Sequence, residues 1–248
     1  MSLSYHSINP IKIPDKEEVH IWMVDLNISQ TIQQHFEKSF LSEEELTKAK
    51  GFKFNHHRLQ FSASHGYLKL ILARYLDCCP SIIEYGIKKY GKPFLKNPTT
   101  QYKIRFNMSH SQDIALYAVT LDTEVGVDIE IIKENLNILD LIEHVFTTRE
   151  KSIFKEIEED KKTKVFYDVW TRKEAYLKAT GEGLNFPLNK IEVIVHQNEQ
   201  VRLLNVEENQ SVNPWFLYSL EMPGYSASIA IERKKKYYTI YRTLMFPS

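Results

Sequence analysis

The chain has 248 residues, 43% hydrophobic and 26% charged, a balance that fits a globular protein with a sizeable core and excludes a disordered or fibrous one. Lys plus Arg equals Asp plus Glu, 32 of each, so no global field draws it to nucleic acid or to an anionic membrane. No run approaches the ~18 apolar residues of a membrane span, no signal-sequence pattern precedes Asp15, and the only cysteines, Cys78 and Cys79, are adjacent, which fits neither a disulfide framework nor a zinc cage. These features point to a cytoplasmic protein.

Residues 19–26 predict a first strand. Ser42 with Glu45 three positions on is a capping-box signal for a helix to about Lys50. A long helix follows over 57–76, with Phe61, Leu68, Leu72 and Leu76 on its buried stripe and Pro80 beyond its end. Strands are predicted at 82–89, 102–108 and 114–121, separated by Gly, Pro and polar turns. After Asp122 and Thr123 the pattern begins again. A strand over 125–131 precedes a helix over 138–144 and another over 147–159, which has its own capping signal in Thr147 and Glu150. A third helix over 163–179 stops at Gly181 and Gly183, and strands are predicted at 191–196, 215–221, 226–232 and 237–242. The fold class is α+β, with one half over 1–122 and a second over 123–248.

Two clusters stand out chemically. Val125, Val127, Ile129 and Ile131 alternate with Gly126, Asp128 and Glu130, so the strand has one apolar face and one acidic face, with both carboxylates on the same side. On the third helix of the second half, Trp170, Glu174 and Lys178 share one stripe. Hard cations such as Mg²⁺ take oxygen ligands, often one or two carboxylates plus substrate phosphates, and this set suits that chemistry. Taken singly, each piece also reads as ordinary surface: an acidic wet face of a strand, or an i, i+4 Glu–Lys pair. Ser109 and His110 follow a predicted strand, without the elbow motif of a hydrolase nucleophile. The basic stretch from Lys48 to Arg58 reads either as a solvated helix face or as a phosphate or acidic-partner site. Aromatic residues are spread over both halves, which suits core packing better than base stacking.

The pieces Tyr90–Leu95, Phe106–Ser111, Gly126–Glu130, Val145–Glu150 and Trp170–Lys178, closed by Gly181–Leu184, resemble in order and spacing the signature of the Sfp-type 4′-phosphopantetheinyl transferases. The resemblance implies two similar lobes related by a pseudo-twofold. It implies transfer of phosphopantetheine from coenzyme A to a serine of an acyl or peptidyl carrier protein, with release of 3′,5′-ADP. By the same resemblance Asp128, Glu130 and Glu174 would bind Mg²⁺, and Glu174 and Lys178 would be catalytic. Lys92, Ser109 and His110 would contact the nucleotide part of coenzyme A, with Lys48 and Arg58 as looser matches, and Glu45 stands where some members have a base. The rival reading is a catalytically silent module binding coenzyme A or a carrier. Two lobes in one chain would make an oligomer unnecessary, so the expectation is a monomer, with neither nucleic acid nor membrane as a partner.

Overall fold

A computed structural model of the chain describes residues 10–96, 103–183, 186–195, 201–202, 205–206, 215–232 and 237–242. Tyr102 and His196, outer ends of two predicted strands, and Leu184 of the closing motif lie outside these residues. The first half forms β1 (Glu18–Asp25), α1 (Gln30–Ser39), α2 (Glu43–Lys50), α3 (Asn55–Leu76), β2 (Tyr85–Ile87), β3 (Pro93–Leu95), β4 (Ile104–Ser111) and β5 (Ile114–Leu121). The second forms β6 (Val125–Ile131), α4 (Leu139–Val145), α5 (Thr148–Lys155), α6 (Glu159–Thr180), β7 (Ile191–Glu192), β8 (Val201–Arg202), β9 (Asn205–Val206), β10 (Phe216–Met222), β11 (Tyr225–Ile231) and β12 (Tyr237–Arg242). The order strand, three helices, short strands and hairpin thus runs twice in one α+β chain.

Local chemistry explains the boundaries. Both capping boxes form: Ser42 accepts from Glu45 N while Glu45 accepts from Ser42 N, and Thr147 with Glu150 repeats the arrangement at α5. The two long helices end alike, on a left-handed residue that closes the last turn: Asp77 at φ 47° after α3 and Gly181 at φ 78° after α6. The predicted helix over 147–159 is really α5 plus the first residue of α6, because the chain turns at Glu156 and restarts at Glu159. The predicted strand over 82–89 shortens to β2, since Pro80–Ile82 takes a 3₁₀ turn with Pro at its first position.

Two four-stranded sheets organise the molecule, in the orders β12–β1–β5–β4 and β6–β11–β10–β8. Hairpins β4–β5 and β10–β11 are antiparallel. The strand predicted at 237–242 does not stay in the second half: β12 pairs in parallel with β1, Glu18 opposite Tyr237. One core lies between α3 and the first sheet, and a second between α6 and the second sheet. A third lies between the two sheets, where Val19, Ile21, Leu116 and Ala118 meet Val125, Val127, Ile129 and Ile229. That third core explains the two-residue alternation of β6. Its apolar side chains seal the junction, which turns Gly126, Asp128 and Glu130 towards α6. A Cβ at residue 126 would stand 2.0 Å from Ala175 O and 2.4 Å from Ala179 N, so glycine lets α6 lie directly on the strand.

Candidate active site

The site is built where two edge strands face each other. On one side β6 is paired to β11; on the other it meets β4, and the bridge is made by side chains. Asn107, Ser109 and Ser111 alternate along β4 and all turn to β6. Asn107 Oδ1 accepts from Val127 N at 2.9 Å, and Ser111 Oγ accepts from Ile131 N at 3.0 Å while donating to Glu130 at 3.1 Å. Between them Ser109 donates to Asp128 Oδ1 at 2.9 Å. Buried strand N–H groups need partners, and here polar side chains supply them while leaving the seam open as a cleft.

Across the cleft α6 brings Glu174 and Lys178. The Lys178 ammonium donates to Asp128 Oδ1 at 2.6 Å and to Ser109 Oγ at 2.8 Å, closing a three-membered polar cluster. Asp128 Oδ2 and Glu174 Oε1 are buried and have no hydrogen-bond partner. Burial raises the Glu174 carboxyl to about 7, with the charge of Asp128 adding to it, Lys178 opposing it and Glu130 adding again. Glu130 is raised as well, by burial and then by Asp128, against the bond from Ser111. Three carboxylates therefore repel one another around two orphaned oxygens. Among the described residues no three His, Cys, Asp or Glu side chains are gathered as a ready-made metal cage, and the cation standing between strand and helix is Lys178.

The cleft, about 1270 Å³, runs from Asp128, Glu130, Trp170, Glu174 and Lys178 past Ser109 and His110 to Lys48, Glu45, His65 and Lys69. His110 lies on the opposite face of β4 from Ser109. Its imidazole is shifted down by burial and by the positive charges of Lys178, His65 and His57. Lys48 lines the far end with its ammonium 5.4 Å from the centre of the Phe61 ring. Arg58 is not part of this set. Its guanidinium forks onto Glu37 of α1, at 3.2 and 2.7 Å, outside the cleft. Lys92 lines the cleft with its stem, but its ammonium is taken up by Glu124, Val125 O and Ala179 O.

Asn107, Ser111 and Lys69 are not singled out by the sequence, whereas Glu45 is, through its capping box. Asn107 and Ser111 share a face with Ser109, and the two-residue spacing within Phe106–Ser111 is the signal that marks them. Glu45 and His65 are paired at 2.8 Å with Lys69 on the other carboxylate oxygen at 2.9 Å, a contact between α2 and α3 that no spacing announces.

Comparison with known proteins gives one consistent answer. A family model described as the 4′-phosphopantetheinyl transferase superfamily matches residues 124–230, which include Asp128, Glu130, Glu174 and Lys178. The chain is 34% identical over 204 residues to the 4′-phosphopantetheinyl transferase HetI of Nostoc sp., covering 82% of this chain and 83% of that one. It is 28% identical to the 4′-phosphopantetheinyl transferase Sfp of Bacillus subtilis, covering 83% and 88%.

Proposed function

The chain belongs to the 4′-phosphopantetheinyl transferase family, and from that membership we propose that it moves phosphopantetheine from coenzyme A to a serine hydroxyl of an acyl or peptidyl carrier protein, releasing 3′,5′-ADP. The observation that carries this reading is the meeting of Asp128, Glu130, Glu174, Lys178 and Ser109 in one cleft between the halves. Phosphoryl transfer asks a protein chiefly for positioning and for charge stabilisation, and the cleft offers both.

Asp128, Glu130 and Glu174 would hold Mg²⁺. The fit rests on the buried, unpartnered Asp128 Oδ2 and Glu174 Oε1, on mutual repulsion that a cation would relieve, and on an all-oxygen donor set. When bound, the ion supplies neutralising charge to the coenzyme A diphosphate. The chain's own groups do the rest. Lys178, already between Ser109 and Asp128, would steady charge growing on the leaving nucleotide, and Glu174 would take the serine proton. His110, Ser109 and Lys48 line the part of the cleft assigned to the nucleotide, so residues 1–122 contribute coenzyme contacts and 123–248 the carboxylates and α6.

Both cleft walls come from one chain, which fits action as a monomer. Among the described residues no helix is long and apolar enough to cross a membrane, and Cys78 and Cys79 are free thiols, in keeping with work in a reducing cytoplasm. The test is intact-mass spectrometry of an apo carrier protein incubated with this protein, coenzyme A and Mg²⁺, alongside an EDTA control. A mass gain of one phosphopantetheine that disappears with EDTA is expected. Coenzyme A binding without any gain on several carriers would replace the transferase with a silent binding module. Asp128→Ala is expected to abolish transfer while the protein stays folded, because losing one of three clustered carboxylates relieves repulsion; a transfer assay paired with a thermal melt checks both halves of that statement.

A further inference from the structure

The family reading makes Lys92 a coenzyme contact, yet its ammonium is engaged elsewhere. All three of its protons have acceptors: Glu124 Oε2 at 2.6 Å, Val125 O at 3.1 Å and Ala179 O at 2.6 Å. The three acceptors belong to three different parts of the machine. Glu124 lies on the connection between the halves. Val125 opens β6, three residues before Asp128. Ala179 lies in the last turn of α6, next to Lys178, where helix carbonyls lack intrahelical partners and a cation is favoured.

We propose that Lys92, held by Glu124, is a positioning residue: a clamp from the β2–β3 hairpin that fixes the last turn of α6 against β6 and so sets the approach of Lys178 to Asp128. Packing agrees with the bonds. A Cβ on Gly181, which ends α6, would lie 3.4 Å from Lys92 Cδ, so the helix terminus rests on the lysine stem. Glu124 is itself braced by further cations of the first half, Lys88 at 2.9 Å and Arg105 at 3.5 Å. None of Glu124, Lys88 and Arg105 lines the main cleft. A phosphate contact by the Lys92 ammonium would have to break bonds that join both halves of the active site. The inference rests on the transferase reading for its kinetic test, but not for its structural one.

The experiment compares wild type, Lys92→Met, Lys92→Arg, Glu124→Gln and the double variant Lys92→Met/Glu124→Gln. Transfer is measured against coenzyme A concentration, and amide hydrogen exchange is followed through the last turn of α6. The clamp predicts that Lys92→Met lowers kcat by about tenfold or more while KM for coenzyme A moves less than about threefold, as expected for misplaced catalytic groups. Glu124→Gln, outside the cleft, should reproduce most of that loss, the double variant should be no worse than Lys92→Met, and Lys92→Arg should recover part of it. Exchange at Ala179 and Gly181 should speed up in Lys92→Met and in Glu124→Gln. The proposal is overturned if Lys92→Met instead raises KM about tenfold with kcat retained and Glu124→Gln is silent, since the ammonium would then be contacting coenzyme. Hydrogen exchange needs no turnover: an inactive wild type sinks the transferase reading, while unchanged exchange in Lys92→Met and Glu124→Gln sinks the clamp.

Discussion

In the first half, Lys69 of α3 donates to Phe40 O and pairs with Glu45 from the capping box of α2. In the second, Lys173 of α6 donates to Val145 O and pairs with Glu150 from the capping box of α5. The same step along the chain separates Lys69 from Lys173 and Asp77 from Gly181, so these are two copies of one device. Their surroundings differ. Lys173 and Glu150 are 0% and 1% exposed, and the second Glu150 oxygen takes the N–H of Val193. Glu45 is 12% exposed at the end of the cleft, and its second oxygen goes to His65. A buried pair that ties helix, capping box and strand is scaffold; the same pair opened to a cleft also lines its wall.

The strands diverge in a parallel way. Where β6 places Asp128 under Lys178, β1 places Trp22 under Arg74, whose guanidinium carbon is 5.1 Å from the ring centre. Where β6 has Gly126 against Ala179, β1 has His20 hydrogen-bonded to Tyr75 of α3 at 2.8 Å. Aromatic and imidazole groups fill the first half, whereas the second leaves acid and empty space. The repelling carboxylates are concentrated on one side of a repeated frame.

The sharpest way to break this comparison is to cut the two pairs. Lys173→Met leaves Glu150 buried without its cation and should cost about 3–5 kcal/mol in chemical denaturation, while Lys69→Met should cost clearly less because Glu45 keeps His65 and some water. Equal losses would mean that exposure does not distinguish the copies. Gly126→Ala comes next. The added methyl meets helix backbone, which cannot yield as a side chain would, so a loss of about 1–3 kcal/mol or more is expected, together with a collapse of transfer as α6 is pushed off Asp128. Folding titrations and the carrier-mass assay read these two effects separately.

Acid stability isolates the first copy. Burial alone would raise the Glu45 carboxyl, but the bonds from His65, Ser42 N and Lys69, with the Lys69 charge, bring it down to about 2. Because the folded value lies below the unfolded one, the associated stability is present above about pH 4.5 and is lost as pH falls towards 2. Glu45→Gln should flatten that part of the stability–pH curve; an unchanged curve would assign the acid limb to other carboxylates. The smallest effect concerns the helix ends. Asp77→Gly should stabilise the protein by up to about 1 kcal/mol, since Asp77 holds the left-handed conformation that Gly181 adopts freely at the matching position. A fall in melting temperature would show that Asp77 has a further role.

Most of this frame was legible beforehand. Alternation wrote β6 plainly, turn residues bounded β5, and capping signals placed α2 and the start of α5. Helix α1 escaped because its single turn-by-turn apolar contacts, Ile32 and Phe36, are diluted by Gln, His and Lys. The very short strands β3, β8 and β9 carry too few residues for periodicity to register, and of the strand predicted at 191–196 β7 forms over Ile191–Glu192. At the site, the acidic strand and the Glu174–Lys178 stripe were readable because each lies within one element. The contacts of Asn107, Ser111 and Glu124 arise between elements distant in sequence, as does the pairing of Arg58, a loose match for a coenzyme contact, with Glu37 twenty-one residues earlier. Local pattern reports faces, not neighbours.

The parallel pairing of β12 with β1 has a consequence for how the molecule is made. The first sheet takes its edge strand from residues 237–242, after the entire second half has been synthesised. Until then β1 offers an unpaired edge along Glu18–Met23, a template for another strand. Folding of the first lobe cannot finish on the ribosome before that of the second, and this long-range closure belongs among the late, slow steps of assembly. A nascent or truncated chain lacking 237–242 should therefore aggregate through β1 rather than simply lose activity.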